Sequence, residues 1–269
     1  MKRLLRDMYI ACAHITGASF LYRSYVRRMG PSVRVVVFHD IQDREWFKES
    51  IRTLSVHYRM LTPEEFTAGN FDTERINLLI TFDDGYTSWV DVCLPVLLEY
   101  NVKALFFINS GLLDAERENK QETFVRERLL LTKPHRILTW EGVRTLLRAG
   151  HTIGGHTRSH VRLSELSVAG QEEEIKVDKA RLSTMLGTSV TTIAYPFGNH
   201  GDYTGDTVRI VNEAGYTHAF TTEGVFADMR TQYAISRLCI PDGLPPTALR
   251  RWIDGGYDLY GILKKLCVR

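Results

Sequence analysis

The chain has 269 residues, of which 44% are hydrophobic and 25% charged, and its formal net charge is +2. This is ordinary soluble globular composition, long enough for one large α/β domain or two small ones with a sizeable core. So small a net charge excludes a field built for nucleic acid, and four scattered cysteines without a CxxC pair exclude a zinc-cysteine or dithiol site.

The first thirty residues are basic at both ends and apolar between. Asp7 and His14 interrupt the apolar run and no small-residue cleavage site follows, so the pattern is not that of a signal peptide. The run is also shorter than the ~20 residues of a spanning helix. Residues 1–32 are therefore expected to form a basic amphipathic helical extension. It either packs on the domain or lies on an anionic membrane face. With no export signal visible, the expected location is cytoplasmic, peripheral at the inner membrane face.

Residues 33–269 alternate short apolar runs with amphipathic segments. Strands are expected at 33–38, 77–82, 103–108, 151–155, 191–195, 217–222 and 233–240. Helices are expected between them. One follows Tyr86 with Pro95 inside it. One is capped by Thr139 and ends at Gly150, one is capped by Ser164 and ends at Gly187, and one ends at Gly215. Strand and helix in alternation, with glycine closing the helices, indicate parallel βα units. Seven such strands fit either a barrel or an open doubly wound sheet. The charged stretch from Asp114 to Arg136 reads as an excursion over the top or side of the sheet. Cys93 and Cys239 sit in apolar surroundings and are expected to be buried.

Polar residues collect at the carboxyl ends of the expected strands, where βα proteins place their sites. Asp83 and Asp84 follow "LLITF", His39 and Asp40 follow "VRVVVF", His156 and His160 follow "HTIGG", and Tyr195, Pro196 and Phe197 follow "TTIA". Asp84-Gly85 as a simple turn explains one aspartate but not two. Two histidines four apart project together if they lie on a helical turn. One carboxylate with two histidines makes a three-ligand catalytic metal set with an open position for water. The second carboxylate is then free to act as general base. The remaining histidines, His135 and His200 among them, have no partner in any motif, and His151 is expected mainly at the surface.

These motifs resemble those of the polysaccharide deacetylases, the NodB-homology group also called carbohydrate esterase family 4. "TFDDG", "HTRSH" and "YPFG" are similar to its first, second and third motifs, and the resemblance runs from about Val33 to Asp242. It implies an α/β fold, a distorted (β/α) barrel of about seven parallel strands. It implies metal-dependent removal of N-acetyl groups from amino sugars in a glycan or a lipid-linked saccharide. Asp83 would be the base, and Asp84, His156 and His160 the metal ligands. Pro196 and Phe197 would shape the substrate groove, the Phe197 N–H would hold the oxyanion, and Tyr195 would line the groove. The metal implied is Zn2+, with Co2+, Ni2+ or Fe2+ tolerated by the same ligands.

The chain departs from the family pattern at two places. Ala194 stands where many members carry an arginine that orients the base, and Arg237 is the candidate replacement. No late histidine supplies a general acid. "VVVFHDI" is similar to an early-strand motif of the deacetylases acting on poly-N-acetylglucosamine, which makes His39 the candidate acid. A deformylase or a deacetylase of a small or nucleotide-linked sugar is an alternative, as is a catalytically weak glycan-binding protein. Nucleic acid is not an expected partner.

Overall fold

The computed structural model describes residues 2–117 and 120–267. Its strands are β1 (Val33–Phe38), β2 (Arg59–Met60), β3 (Asn77–Asp84), β4 (Ala104–Ile108), β5 (Thr152–Gly155), β6 (Thr192–Ala194), β7 (His218–Phe220) and β8 (Leu238–Cys239). Seven of them form one parallel sheet in the order β7-β6-β5-β4-β3-β1-β8, and the two-residue β2 pairs with the start of β3. The sheet curls on itself. Ile235 bridges Phe220 of β7, while Leu238 and Cys239 pair with Val36 and Val37 of β1. A single segment thus touches both edges, and the chain forms the distorted (β/α) barrel that its alternation left undecided. The segment 233–240 does not form one long strand, because it crosses from one edge to the other.

Strand parity sets the two cores. Leu78, Ile80 and Phe82 of β3 join the large cluster under the surrounding helices. Leu79 joins Val33, Val35, Leu105, Phe107, Phe220 and Ile235 in a smaller cluster that fills the barrel. β5 must carry glycine to pack this closely. A Cβ on Gly154 would lie 2.5 Å from the Phe107 ring, and one on Gly155 would lie 2.7 Å from the Tyr216 hydroxyl.

Local capping explains most helix boundaries. Thr139 accepts from the Gly142 N–H at the start of helix Trp140–Arg148, and Gly187 takes the left-handed conformation after Leu186. Ser164 is not the cap expected of it. It lies in a 3₁₀ turn, and Ser167 caps the following helix by accepting from the Gly170 N–H. Pro95 lies within one continuous helical stretch, where the π-helical turn Trp89–Cys93 leads directly into helix Leu94–Glu99. Helices Lys2–Ile15 and Ala18–Met29 lie against the carboxyl-terminal helices. That end of the molecule is tied to β1 by the buried pair Arg34–Asp258 at 2.7 Å, with the Arg34 guanidinium 3.7 Å above the Phe226 ring. No helix among the described residues is long and apolar enough to cross a membrane.

Candidate active site

The carboxyl ends of the strands enclose a cavity of about 340 Å³. Its walls include His39, Asp40, Asp83, Asp84, Tyr86, His135, His156, His160, Phe197, Cys239 and Asp242. The two neighbouring aspartates are separated by the pleat. Asp83 continues the inward row of Leu79 and Thr81, and meets Arg237 inside the barrel. Arg237 holds both Asp83 oxygens, at 2.6 and 2.7 Å, and is itself fully buried. Its other bonds, to the Thr221 carbonyl and the Thr81 hydroxyl, fix the fork in place. Burial pushes the Asp83 carboxyl up, but Arg237 and then His156 outweigh it and hold the group below the usual carboxylate range.

Asp84 would point away from the barrel by parity, but its φ of 88° takes it out of the extended conformation. Its Oδ1 lies 3.5 Å from His156 Nε2 and 3.4 Å from His160 Nε2, and its Oδ2 accepts from the Tyr86 hydroxyl at 2.8 Å. The two histidines do not sit on a helical turn. They lie in a loop where Thr157 and His160 are left-handed, and this brings their rings to 5.0 Å. Asp84, Thr157, His160 and Phe197 are four of the six described non-glycine residues with positive φ. Backbone strain is thus concentrated at this cavity.

The donor set fits a divalent metal. One atom each from Asp84, His156 and His160 lies within 4.8 Å of the other two. Each histidine commits its Nδ1 elsewhere, His156 to the Ala194 carbonyl at 2.8 Å and His160 to the Arg128 carbonyl at 3.1 Å. Carbonyls accept only, so both Nδ1 atoms carry the hydrogen and both Nε2 atoms present lone pairs toward Asp84. Burial pushes the Asp84 carboxyl up, yet the two histidines overcome it and leave the carboxyl strongly acidic. Burial also lowers His160 in net, which favours the neutral ligand form.

The other expected site residues are placed as follows. His39 is exposed on the cavity wall, and its carbonyl accepts from Trp89 Nε1. Pro196 is buried beneath the wall. Phe197 lines the cavity, its ring 4.9 Å from that of His160, and no hydrogen bond within the described residues uses its N–H. Tyr195 does not line the groove. It is fully buried, stacked on Tyr203 at 4.5 Å, and its hydroxyl donates to the Tyr233 carbonyl. Cys239 faces the cavity instead of lying buried, because β8 ends at its rim. His151 is buried, not at the surface, and its Nδ1 accepts from the Ala104 N–H.

Residues with no motif signal complete the wall. His135 and Leu131, from the end of the charged excursion, reach the cavity, and His135 Nδ1 lies 2.7 Å from Asp40 Oδ2. The segment around them is pinned by an antiparallel bridge between Tyr86 and Ile137.

The family model described as polysaccharide deacetylase matches residues 71–219, more than half of the chain. The chain belongs to the polysaccharide deacetylase family. Among curated relatives it is 26% identical over 233 residues to YxkH of Bacillus subtilis, covering 82% of this chain and 75% of that one. It is 25% identical over 218 residues to a poly-beta-1,6-N-acetyl-D-glucosamine N-deacetylase of Staphylococcus aureus, covering 79% and 71%. In fold it is similar to the Streptococcus pyogenes deacetylase PplD in complex with acetate (TM-score 0.69, 21% identity, 83% of this chain and 99% of that one). It is also similar in fold to IcaB from Ammonifex degensii (TM-score 0.65, 21% identity, 84% and 98%). Within this polysaccharide deacetylase family member, the matched segment carries Asp83, Asp84, His156, His160 and Phe197. His39, just after β1, and Arg237, just before β8, lie outside it, so the cavity is complete only when the barrel closes.

Proposed function

We propose that the chain is a metal-dependent hydrolase that removes N-acetyl groups from amino sugars of a glycan, releasing acetate and a free amine. The observation that carries this reading is Asp83, clamped by Arg237, beside the convergent Asp84, His156 and His160. The name of the Staphylococcus aureus relative makes polymers of N-acetylglucosamine the first substrate class to test.

A divalent ion, with zinc the first choice, would be held by Asp84, His156 and His160 and would polarise the amide carbonyl. Asp83 takes the proton of the attacking water. Arg237 keeps Asp83 ionised and fixes its direction without being able to protonate it, since a guanidinium stays charged. The uncommitted Phe197 N–H donates to the oxygen that gains charge as the carbonyl carbon becomes tetrahedral. His39, also on the cavity wall, gives the leaving nitrogen its proton as the C–N bond breaks.

Residues 1–32 are read as an extension that serves attachment, since none of them lines the cavity. Nine of the fourteen exposed large hydrophobics among the described residues lie on helices Lys2–Ile15, Ala18–Met29 and Tyr257–Cys267. Exposed Arg27, Arg28 and Lys264 accompany them. Apolar side chains flanked by cations suit peripheral contact with an anionic bilayer, here assigned to the inner membrane face.

Acetate release from N-acetylglucosamine oligomers by zinc-loaded protein tests the reaction. Asp83→Asn is expected to lower the rate by about 10²-fold or more. Chelation is expected to abolish release, and zinc to restore it. Full activity in stoichiometrically chelated protein would refute the reading.

A further inference from the structure

Resting on that reading, groups of the cavity wall left free by the reaction are available to recognise a sugar. Most of its polar atoms are already committed. The Tyr86 hydroxyl is spent on Asp84 and the Thr222 hydroxyl on the Phe197 carbonyl. Asp40 looks available but is not. Its Oδ1 accepts from the Ser88 hydroxyl at 2.6 Å and from Gln42 at 2.7 Å, and its Oδ2 faces His135 at 2.7 Å. Setting aside Asp83, the three metal-set residues, His39, the Phe197 N–H assigned to the oxyanion and the weakly polar Cys239 thiol, two polar groups of the wall remain. They are the outer nitrogen of His135 and the carboxylate of Asp242. No hydrogen bond within the described residues uses either.

These two groups line the same cavity. Burial pushes the Asp242 carboxyl up, and the charge of Asp40 adds to this. His39 and His135 pull it back down, so the Asp242 carboxylate lies within electrostatic reach of all three. Both chain segments are held. The backbone beside His135 bonds to the turn after Asp84, with Thr87 N–H on the Arg136 carbonyl and Leu138 N–H on the Gly85 carbonyl, both at 2.9 Å. The Ile240 N–H, two residues before Asp242, bonds the Val37 carbonyl of β1 at 3.0 Å. The His135 ring lies 5.5 Å from that of Tyr86, whose hydroxyl reaches Asp84. His135 therefore lies one aromatic ring away from the Asp84 carboxylate.

We infer that His135 and Asp242 are the sugar-recognition pair of this site, binding ring hydroxyls that flank the acetamido group. A carboxylate accepts from two hydroxyls at once, and an imidazole whose Nδ1–H is fixed on Asp40 offers Nε2 as acceptor in its neutral form. Asp40 orients His135 and does not itself touch the sugar. Leu129 and Leu131 of the same wall supply an apolar surface for the sugar face. At about 340 Å³ the cavity is at the small end of ligand pockets, so it takes one sugar unit and leaves the rest of the chain outside.

Steady-state acetate release from N-acetylglucosamine oligomers is measured for wild type, Asp242→Asn, His135→Ala and His135→Gln, with zinc content and thermal unfolding of each. Both positions are expected to raise KM about tenfold or more, keep kcat within about threefold, and leave zinc content unchanged. Asp40→Asn is expected to raise KM in the same direction, because it loosens His135. Wild-type KM in folded, zinc-loaded Asp242→Asn and His135→Gln would overturn the inference and leave the deacetylase reading standing. So would a fall in kcat at constant KM, which would make the pair part of proton transfer. If wild type with full zinc releases no acetate, the deacetylase reading fails, and this inference fails with it.

Discussion

A carboxylate as deeply buried as Asp83 stays charged only because a guanidinium grips both of its oxygens. The pair is enclosed in the barrel with Phe107 and Phe220, where the arginine lies 5.2 and 6.0 Å from the ring centres. Removing the arginine alone leaves an uncompensated charge, at a typical cost of about 3–5 kcal/mol. Arg237→Met is therefore expected to lower stability by roughly that amount, measured by urea unfolding, and to abolish acetate release. Arg237→Lys is expected to recover stability in part and activity poorly, since one ammonium cannot reproduce a two-point grip. A Lys variant with wild-type activity would show that charge, not direction, is what Asp83 needs. The neighbouring Asp84 illustrates the other half of the local design. Two adjacent aspartates reach one cavity because the second leaves the extended conformation at φ 88°.

At the scale of elements, the loop that carries His156 and His160 is supported from behind by helix Asp178–Leu186. Asp178 is fully buried, and one of its oxygens accepts from the Ser110 N–H at 2.9 Å. The other has no hydrogen-bond partner and faces the space beside Gly155, as does the Tyr216 hydroxyl. Burial raises its carboxyl to about 7, against the pull of Ser110 and His156. The folded chain thus binds this proton more tightly than the unfolded chain, whose value is the ordinary 3.8. Its contribution to stability is full below about pH 4 and is lost as pH rises toward 7. Asp178→Asn keeps the acceptor for Ser110 and removes the titration. In chelated protein, the variant is expected to gain on wild type as pH rises from about 4 to 7, reaching at most roughly 4 kcal/mol. A difference that stays flat across that window would mean Asp178 is ionised throughout. His151 works in the opposite sense. Burial lowers it to about 4, so it opposes folding once acid begins to protonate it below its ordinary 6.5.

Much of this level was legible in the sequence. Six of the seven strands lie where apolar runs predict, and β1, β3 and β4 are buried along their whole length and read as unbroken runs. The strand-end positions of Asp83, His156 and Phe197 were legible for the same reason. What was not legible depends on tertiary pairing. His135 lies 95 residues from Asp40 and belongs to no motif, so only the fold brings them together. Tyr195 neighbours the site in sequence yet turns away from it, because parity at the end of β6 points its ring toward Tyr203. The histidine pair was expected on a helix and lies in a strained loop. Spacing alone does not report φ.

On the scale of the whole molecule, part of the exposed apolar surface lies at the amino end of β1, away from the cavity at the strands' carboxyl ends. Helix Ala18–Met29 runs through Gly30 into the amino end of β1. Its Tyr22, Tyr25, Val26 and Met29 share a groove of about 490 Å³ with Phe71, Ala227 and Met229. Peripheral attachment predicts that full-length protein sediments with anionic vesicles and is released by high salt. Substituting Leu21, Tyr25 and Met29 by serine is expected to abolish sedimentation while leaving acetate release from soluble oligomers unchanged. Sedimentation of the triple variant at the wild-type level would remove the attachment surface from these helices.

The cavity opens at the carboxyl ends of the same strands. A six-residue strand such as β1 spans about 20 Å. A barrel moored by its amino end would hold its mouth at a stand-off of at least that height, facing outward. Acetyl groups lying in the headgroup layer would be out of range, and those on a saccharide standing clear of the bilayer would be within it. The barrel would act as a ruler, selecting its target by height above the surface before any contact with the sugar is made.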